Sequence, residues 1–289
     1  MSTLKNPHAP FDPALARAFE ANILAALAED VGTGDVTGLL VDEQEMARAR
    51  VLVREPAILC GAPWFEGVMK QVDPRLQIHW RFAEGDRVAA DAVVCEIAGP
   101  ARGLLTAERG ALNFLQLLSG VASATHDYVQ AVAGTRAVIL DTRKTLPGLR
   151  LAQKYAVRVG GGHNQRLALY DGILIKENHI AAAGGIDAAL RKAQDLHAGV
   201  TIQIEVENLE QLEQALAAGA RSVLLDNFSP DGMCAAVALN QGRALLEASG
   251  GVNLETVRAI AATGVDRISI GGLTKDVRAT DYSLRILAV

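Results

Sequence analysis

The chain has 289 residues, 50% of them hydrophobic and 4% aromatic, with three cysteines and a formal net charge of −5. That balance excludes a nucleic-acid coat or a membrane-surface protein, which need a basic excess, and the apolar runs are far too short to span a bilayer. The length suits one barrel plus a smaller domain with ample core, and the stretch around Pro7, His8, Pro10 and Asp12 has no apolar signal segment, which predicts a cytoplasmic protein.

From the amino terminus, Leu15, Phe19, Ile23, Leu24 and Leu27 recur at helical spacing, with Asp12 suited to cap the helix and Pro13 to its first turn. The acids of Glu29-Asp30-Val-Gly-Thr-Gly-Asp35-Val-Thr37 read as turn caps in a glycine-broken loop. Met46 to Val53 nearly alternates small or apolar residues with arginine, the period of a half-exposed antiparallel strand that Pro56 closes. A helix from Pro63 to Val72 and strands over 76–82 and 93–97, around the turn Glu84-Gly85-Asp86, complete a small α+β domain. No lysine stands in that turn to carry lipoate or biotin, which counts against a carrier domain. Thr106 is the expected cap of a further helix with Arg109 in its first turn, where the helix dipole disfavours a cation, so Arg109 pairs with Glu108 or Glu96 or binds an anion. Ser119-Gly120 separates that helix from one over 123–133. Cys60, Cys95 and Cys234 lie far apart in apolar surroundings and read as buried free thiols.

Six short apolar runs then follow, separated by stretches of helical period. They are 137–140, 172–175, 201–204, 222–225, 244–247 and 267–270, the last four spaced by about 20 to 23 residues, enough for one strand and one crossover helix. Each run ends in chemistry: Asp141-Thr142-Arg143-Lys144, Lys176-Glu177, Glu205-Val206-Glu207, Asp226-Asn227, Ser249-Gly250-Gly251, and Gly271-Gly272 after Ile270. In a barrel such ends converge at one mouth, and a doubly wound open sheet also places ligands there. Arg143, Lys144, Arg150, Lys154, Arg158, Arg166 and Lys176 crowd about 35 residues, a local positive site suited to a small, highly anionic ligand. Glu205 and Asp226 either neutralise these cations or serve a Mg²⁺–pyrophosphate substrate, with Glu207 a second choice. Lys144 or Lys176 as a Schiff-base lysine of a barrel aldolase is the alternative chemistry. His163, with no second histidine at ligand spacing, reads as a surface or hydrogen-bonded residue.

Assembled in order, these stretches resemble the quinolinate phosphoribosyltransferase family over essentially the whole chain. The carrying segments are 29–37, Ala107-Glu-Arg-Gly-Ala-Leu-Asn113, Asp141-Thr-Arg-Lys-Thr145 with Pro147-Gly148, Gly160 through Arg166, Lys176-Glu-Asn-His179, Glu205-Val-Glu207, Leu225-Asp-Asn227, Ser249-Gly-Gly251 and Ser269-Ile-Gly-Gly272. The resemblance implies an incomplete α/β barrel over 121–274. It also implies a smaller α+β amino-terminal domain over 1–120, completed by 275–289. The implied activity is phosphoribosyl transfer from phosphoribosyl pyrophosphate to quinolinate with loss of CO2, with Mg²⁺ held near Glu205 and Asp226 through water or substrate.

The same resemblance implies a homodimer with shared active sites, or a hexamer of such dimers, in which Arg109 enters the partner's site. Arg143, Arg166 and Lys176 match quinolinate-binding cations, Thr142 lies in the same loop, and Lys144 matches a lysine between the two substrates. Lys144, Glu205 and Asp226 are the implied catalytic residues, and Ser249, Gly250, Gly251, Ser269, Ile270, Gly271 and Gly272 the phosphate loops. Gln165 stands where many members have histidine. A family paralogue associated with molybdenum transport shares much of this pattern.

Overall fold

The computed structural model describes residues 4–287; residues 1–3 and 288–289, inside the domain ranges expected above, lie outside the described residues. In chain order the first elements are α1 (Pro13–Asp30), β1 (Met46–Val53), β2 (Ala57–Ile58), α2 (Ala62–Val72), β3 (Gln77–Trp80), β4 (Arg87–Val88), β5 (Val93–Pro100) and α3 (Ala101–Ala131). There follow β6 (Val138–Leu140), α4 (Arg150–Val159), β7 (Gly172–Ile175), α5 (Glu177–Ala183), α6 (Ile186–Asp195), β8 (Thr201–Val206), α7 (Leu209–Ala217) and β9 (Ser222–Asp226). Last come α8 (Pro230–Asn240), β10 (Leu245–Ser249), α9 (Val257–Ala262), β11 (Arg267–Ser269), α10 (Gly272–Lys275) and β12 (Tyr282–Leu287). Among the described residues no helix is long and apolar enough to cross a membrane.

The chain forms two compact units. One takes the described residues up to His126 with Thr145–Gly161 and those from Thr274 onward; the other takes Asp127–Lys144 and Gly162–Leu273. This differs from a division after residue 120, because α4 belongs to the first unit although it lies between two barrel strands in sequence. Its Ala152, Tyr155, Ala156, Val157 and Val159 are buried in the same hydrophobic core as Trp64 and Phe65.

In the first unit α1 starts as its sequence predicts, with Asp12 Oδ1 accepting the N–H groups of Ala14 at 3.0 Å and Leu15 at 2.9 Å. The sheet runs β12-β1-β5-β3, antiparallel throughout. Phe11, Phe19, Trp64 and Tyr155 pack ring against ring with centroids 5.2–5.7 Å apart, contacts worth about 0.5 to 1.5 kcal/mol each beyond their buried area. Glu84, read as a turn residue, is buried instead: its carboxyl accepts N–H groups from Gly61 (2.8 Å) and Ala62 (3.1 Å) at the start of α2, and the Tyr155 hydroxyl at 3.0 Å.

Helix α3 corrects the reading of two helices. It runs unbroken for 31 residues, so Thr106 is interior, and its hydroxyl donates to Asp35 Oδ2 at 2.8 Å rather than capping. Ser119-Gly120 marks close packing, not a helix end. The Ser119 hydroxyl donates to Cys60 O at 2.9 Å, and Gly120 leaves room for the backbone carbonyl of Arg278, which a Cβ would strike. Cys60 and Cys95 are buried, but Cys234 is exposed, because α8 turns Met233, Ala236 and Asn240 inward and Cys234 away from them.

The second unit is a six-stranded parallel sheet in the order β6-β11-β10-β9-β8-β7. Consecutive strands are neighbours from β7 to β11, and the first, β6, lies beside the last. That is a singly wound, incomplete (β/α) barrel and not a doubly wound sheet. Among the described residues β6 and β7 do not pair. The segment after Gly162 lines the edge of β6: His163 N–H donates to Ile139 O at 2.9 Å, and Asp141 N–H to His163 O at 3.2 Å. It then reaches β7 and β8, since Arg166 Nη1 donates to Gly172 O and Gln165 Nε2 to Gln203 Oε1, both at 2.9 Å. An irregular segment thus stands where one barrel strand is missing.

Candidate active site

Parallel pairing in a continuous sheet puts every strand's carboxyl end on one side of the unit, so the strand-end residues share one rim. Register adds which side chains share a face. Glu205 pairs with Leu224, Glu247 with Leu224 and Arg267, and Ser249 with Asp226. With the two-residue period of strands, Gln203, Glu205, Asp226, Glu247, Ser249 and Ser269 point one way. The alternate residues Ile204, Val206, Val223, Leu225, Leu246, Ala248 and Ile268 point the other and are buried. One face is apolar and packs under the crossover helices; the other is mixed, with these polar side chains beside Leu140, Leu174 and Leu224.

After β6, Asp141 is fully buried and accepts from Asn164 Nδ2 at 2.6 Å and from the Gln165 N–H at 3.0 Å. Thr142 Oγ1 accepts the Lys144 N–H at 3.0 Å, which shapes the loop that carries Arg143 and Lys144. Arg143 and Arg166 are both half-buried. Burial holds the Arg166 guanidinium below its ordinary pKa, the like charge of Arg143 adds to this, and Asp171 opposes it. Lys176, at the end of β7, forms an ion pair with Glu205 from β8, Nζ to Oε2 at 3.0 Å, with Oε1 at 3.4 Å. Glu177, the nearer carboxylate in sequence, accepts from Asn178 instead.

Asp226 Oδ2 accepts from Asn227 Nδ2 at 2.9 Å. Asn227 sits at φ 55, and its N–H donates to Ser249 O at 3.0 Å. Gly250 has φ +103, and a Cβ there would collide with the Asn227 side chain, so the Ser249–Gly251 turn needs glycine both for its dihedral angle and for this contact. Ser269 is buried, and the Ile270 N–H donates to Leu140 O at 2.9 Å, tying the Gly271-Gly272 turn to the end of β6.

Arg109 lies in the other unit. It is in the third turn of α3, not the first, so the helix dipole does not disfavour it; it is exposed and makes no hydrogen bond or ion pair among the described residues. Glu96, one partner considered for it, pairs with Arg81 at 2.7 Å. His163 is exposed and contributes its backbone.

The sequence reading passed over Gln203 and Glu247, polar side chains inside the barrel. Gln203 Nε2 donates to Glu247 Oε2 at 2.8 Å, and both residues are buried. The available signal was a glutamine within Thr201-Ile-Gln-Ile204 and a glutamate closing Ala244-Leu-Leu-Glu247, each breaking an otherwise apolar run.

Residues 35–119 match the model of the quinolinate phosphoribosyl transferase N-terminal domain, and residues 121–285 that of the C-terminal domain. The nicotinate-nucleotide pyrophosphorylase (carboxylating) of Mycobacterium leprae is 42% identical over 269 residues, which is 91% of this chain and 95% of that protein. Among solved structures, the nicotinate-nucleotide pyrophosphorylase of Francisella tularensis superposes with a TM-score of 0.91 at 45% identity, covering 94% of this chain and 96% of that one. The enzyme of the same name from Ehrlichia chaffeensis gives 0.90 at 38% identity, with 93% and 98% covered. Both halves match, in order and nearly end to end: the chain belongs to the quinolinate phosphoribosyltransferase family.

Proposed function

We propose that this chain transfers the phosphoribosyl group of phosphoribosyl pyrophosphate to the ring nitrogen of quinolinate and releases CO2, giving nicotinate mononucleotide and pyrophosphate. The observation that carries the reading, beside family membership, is the pair Arg143 and Arg166, whose like charges lie near enough to act on one another. A dicarboxylate ring supplies the anion that such a pair matches. Lys176 and Lys144 extend the positive surface toward the pyrophosphate, and the turns Ser249–Gly251 and 269–272 offer backbone N–H groups to phosphate oxygens.

In this mechanism the nitrogen of quinolinate attacks the anomeric carbon of the ribose as the bond to pyrophosphate breaks. Glu205 and Asp226 face the positive charge that develops on the sugar, while the lysines offset the negative charge of the leaving group. Once the nitrogen is glycosylated, its positive charge stabilises the electron pair left on the adjacent ring carbon as the carboxylate departs as CO2, and that carbon then takes a proton from water. The side chains orient both substrates and exclude water. Glu205 and Asp226, oxygen donors at the ends of adjacent strands, suit Mg²⁺ bound mainly by water and substrate oxygens. Bound there, Mg²⁺ would offset charge on the diphosphate.

The reading includes a homodimer in which Arg109 completes the partner's site. An arginine exposed on α3 and without a hydrogen-bond or ion-pair partner among the described residues supports it. It also includes a cytoplasmic setting, which suits two multiply charged substrates that do not cross a bilayer unaided. The aldolase alternative loses support at Lys176, one of its two candidate lysines, because an ion pair with Glu205 is the opposite of the apolar desolvation that activates a Schiff-base lysine.

The test is to incubate the chain with phosphoribosyl pyrophosphate and Mg²⁺ plus either quinolinate or nicotinate. Pyrophosphate release with quinolinate and little with nicotinate is the expected result; equal release from both would overturn the assignment of two ring carboxylates to this pocket.

A further inference from the structure

The inside of a small barrel is ordinarily filled by branched apolar side chains. Here a line of polar groups crosses it. From the rim inward, Asp141 accepts the Gln165 backbone N–H, the Gln165 carboxamide donates to Gln203 Oε1 at 2.9 Å, and Gln203 donates to Glu247 Oε2 at 2.8 Å. Gln203 is 6% exposed and Glu247 1%, so this is a buried chain and not a solvated one. We infer that Gln203 and Glu247 are positioning residues, which hold the Gln165 carboxamide in a fixed orientation beside Arg166 and so set the affinity for the pyridine dicarboxylate.

The direction of the chain follows from its inner end. The Oε2 atom of Glu247 accepts, so Gln203 must turn its Nε2 toward Glu247 and its Oε1 toward Gln165, and Gln165 must turn its Nε2 toward Gln203. Burial pushes the Glu247 carboxyl up in pKa, against Gln203, Ser269 and the charge of Arg267, and Oε2 accepts both in the carboxylate and in the acid protonated on Oε1. Buried polar chains are costly where a member is left unsatisfied, as Glu247 Oε1 is among the described residues, and their return is a fixed geometry. The residue that gains the fixed geometry is Gln165. Its own N–H is held by the buried Asp141, and it directly precedes Arg166, one of the two cations matched to the substrate. Two strands, β8 and β10, thereby reach a side chain on the irregular segment that replaces a barrel strand and that, among the described residues, pairs with β6 at one bridge, His163 with Leu140.

The inference rests on the quinolinate reading of the site. Its test is steady-state kinetics with each substrate varied in turn. Gln203→Leu should raise KM for quinolinate about tenfold, the loss of one neutral hydrogen bond, with KM for phosphoribosyl pyrophosphate and kcat within about twofold of wild type. Glu247→Gln keeps an oxygen for Gln203 and should retain wild-type KM, whereas Glu247→Leu should behave as Gln203→Leu does. In a Gln165→Ala background, Gln203→Leu should add nothing. If Gln203→Leu does not fold, Gln203→Met, similar in length and without the amide, is held to the same criteria. Both KM values rising together, an unchanged quinolinate KM, or an equal extra effect in the Gln165→Ala background would overturn the positioning role. A wild-type chain inert toward quinolinate would overturn the functional reading and this inference with it; an active wild type with an insensitive Gln203 variant overturns the inference alone.

Discussion

Arg143 and Arg166 bring like charge to one part of the site, an arrangement suited to an anionic ligand. Arg166→Ala is expected to lower kcat/KM for quinolinate by about 10²-fold or more with only a small loss of thermal midpoint, from the lost bond to Gly172 O, measurable by pairing kinetics with calorimetry. Lys176→Ala differs, because it leaves Glu205, whose side chain is only 12% exposed, without its cation. A loss of about 10²- to 10³-fold in kcat/KM is expected, accompanied by a small loss of stability. Wild-type kinetics in either variant would argue that these cations are not the substrate's partners.

Glu84 sits far from this chemistry in sequence and gives a pH signature. Burial raises its pKa from 4.5 to about 7, against the hydrogen bonds from Gly61, Tyr155 and Ala62. The folded state thus holds the proton more tightly than the unfolded chain does. The contribution is full below about pH 4.5 and is lost as pH rises toward and through about 7. Glu84→Gln removes the titration, so wild-type stability should fall relative to the variant between those limits in urea unfolding run at several pH values. A constant difference across that window would show that Glu84 does not titrate there.

At the scale of elements, the barrel strands were legible and the helices less so. A buried parallel strand is a short apolar run with a polar stop, and all six such runs became strands with boundaries within a residue or two. The break seen at Ser119-Gly120 was misread, because small polar residues signal either a helix end or a close contact, and only tertiary structure shows the Arg278 carbonyl against Gly120. Gly120→Ala tests this: alanine favours a helix interior by about 1 kcal/mol, yet the clash with a backbone atom should make the variant about 1 to 3 kcal/mol less stable. A more stable variant would show that the contact yields easily. The placement of α4 was hidden for a related reason, since its apolar face does not reveal which core it joins. Candidate site residues at strand ends were readable because charge after an apolar run is a local pattern. Gln203 and Glu247 were not, because a single polar residue in a strand gives no sign of whether it faces inward or outward.

The whole molecule has two compact units, with the strand-end chemistry confined to one and Arg109 to the other. In the proposed homodimer Arg109 serves the partner's site, and mixing variants exposes that arrangement. Arg109→Ala and Lys144→Ala chains should each be nearly inactive alone, yet, mixed equally and allowed to exchange, recover about a quarter of wild-type activity through the one intact site of each mixed dimer. No recovery, with exchange verified, would mean that Arg109 acts within its own chain or not at all. The most direct measurement for the account as a whole is made on the unaltered enzyme, with quinolinate labelled in the carboxylate next to the ring nitrogen. One labelled CO2 released for each pyrophosphate and each nicotinate mononucleotide formed is the predicted result; labelled carboxylate retained in the nucleotide, or CO2 released without phosphoribosyl pyrophosphate, would contradict it.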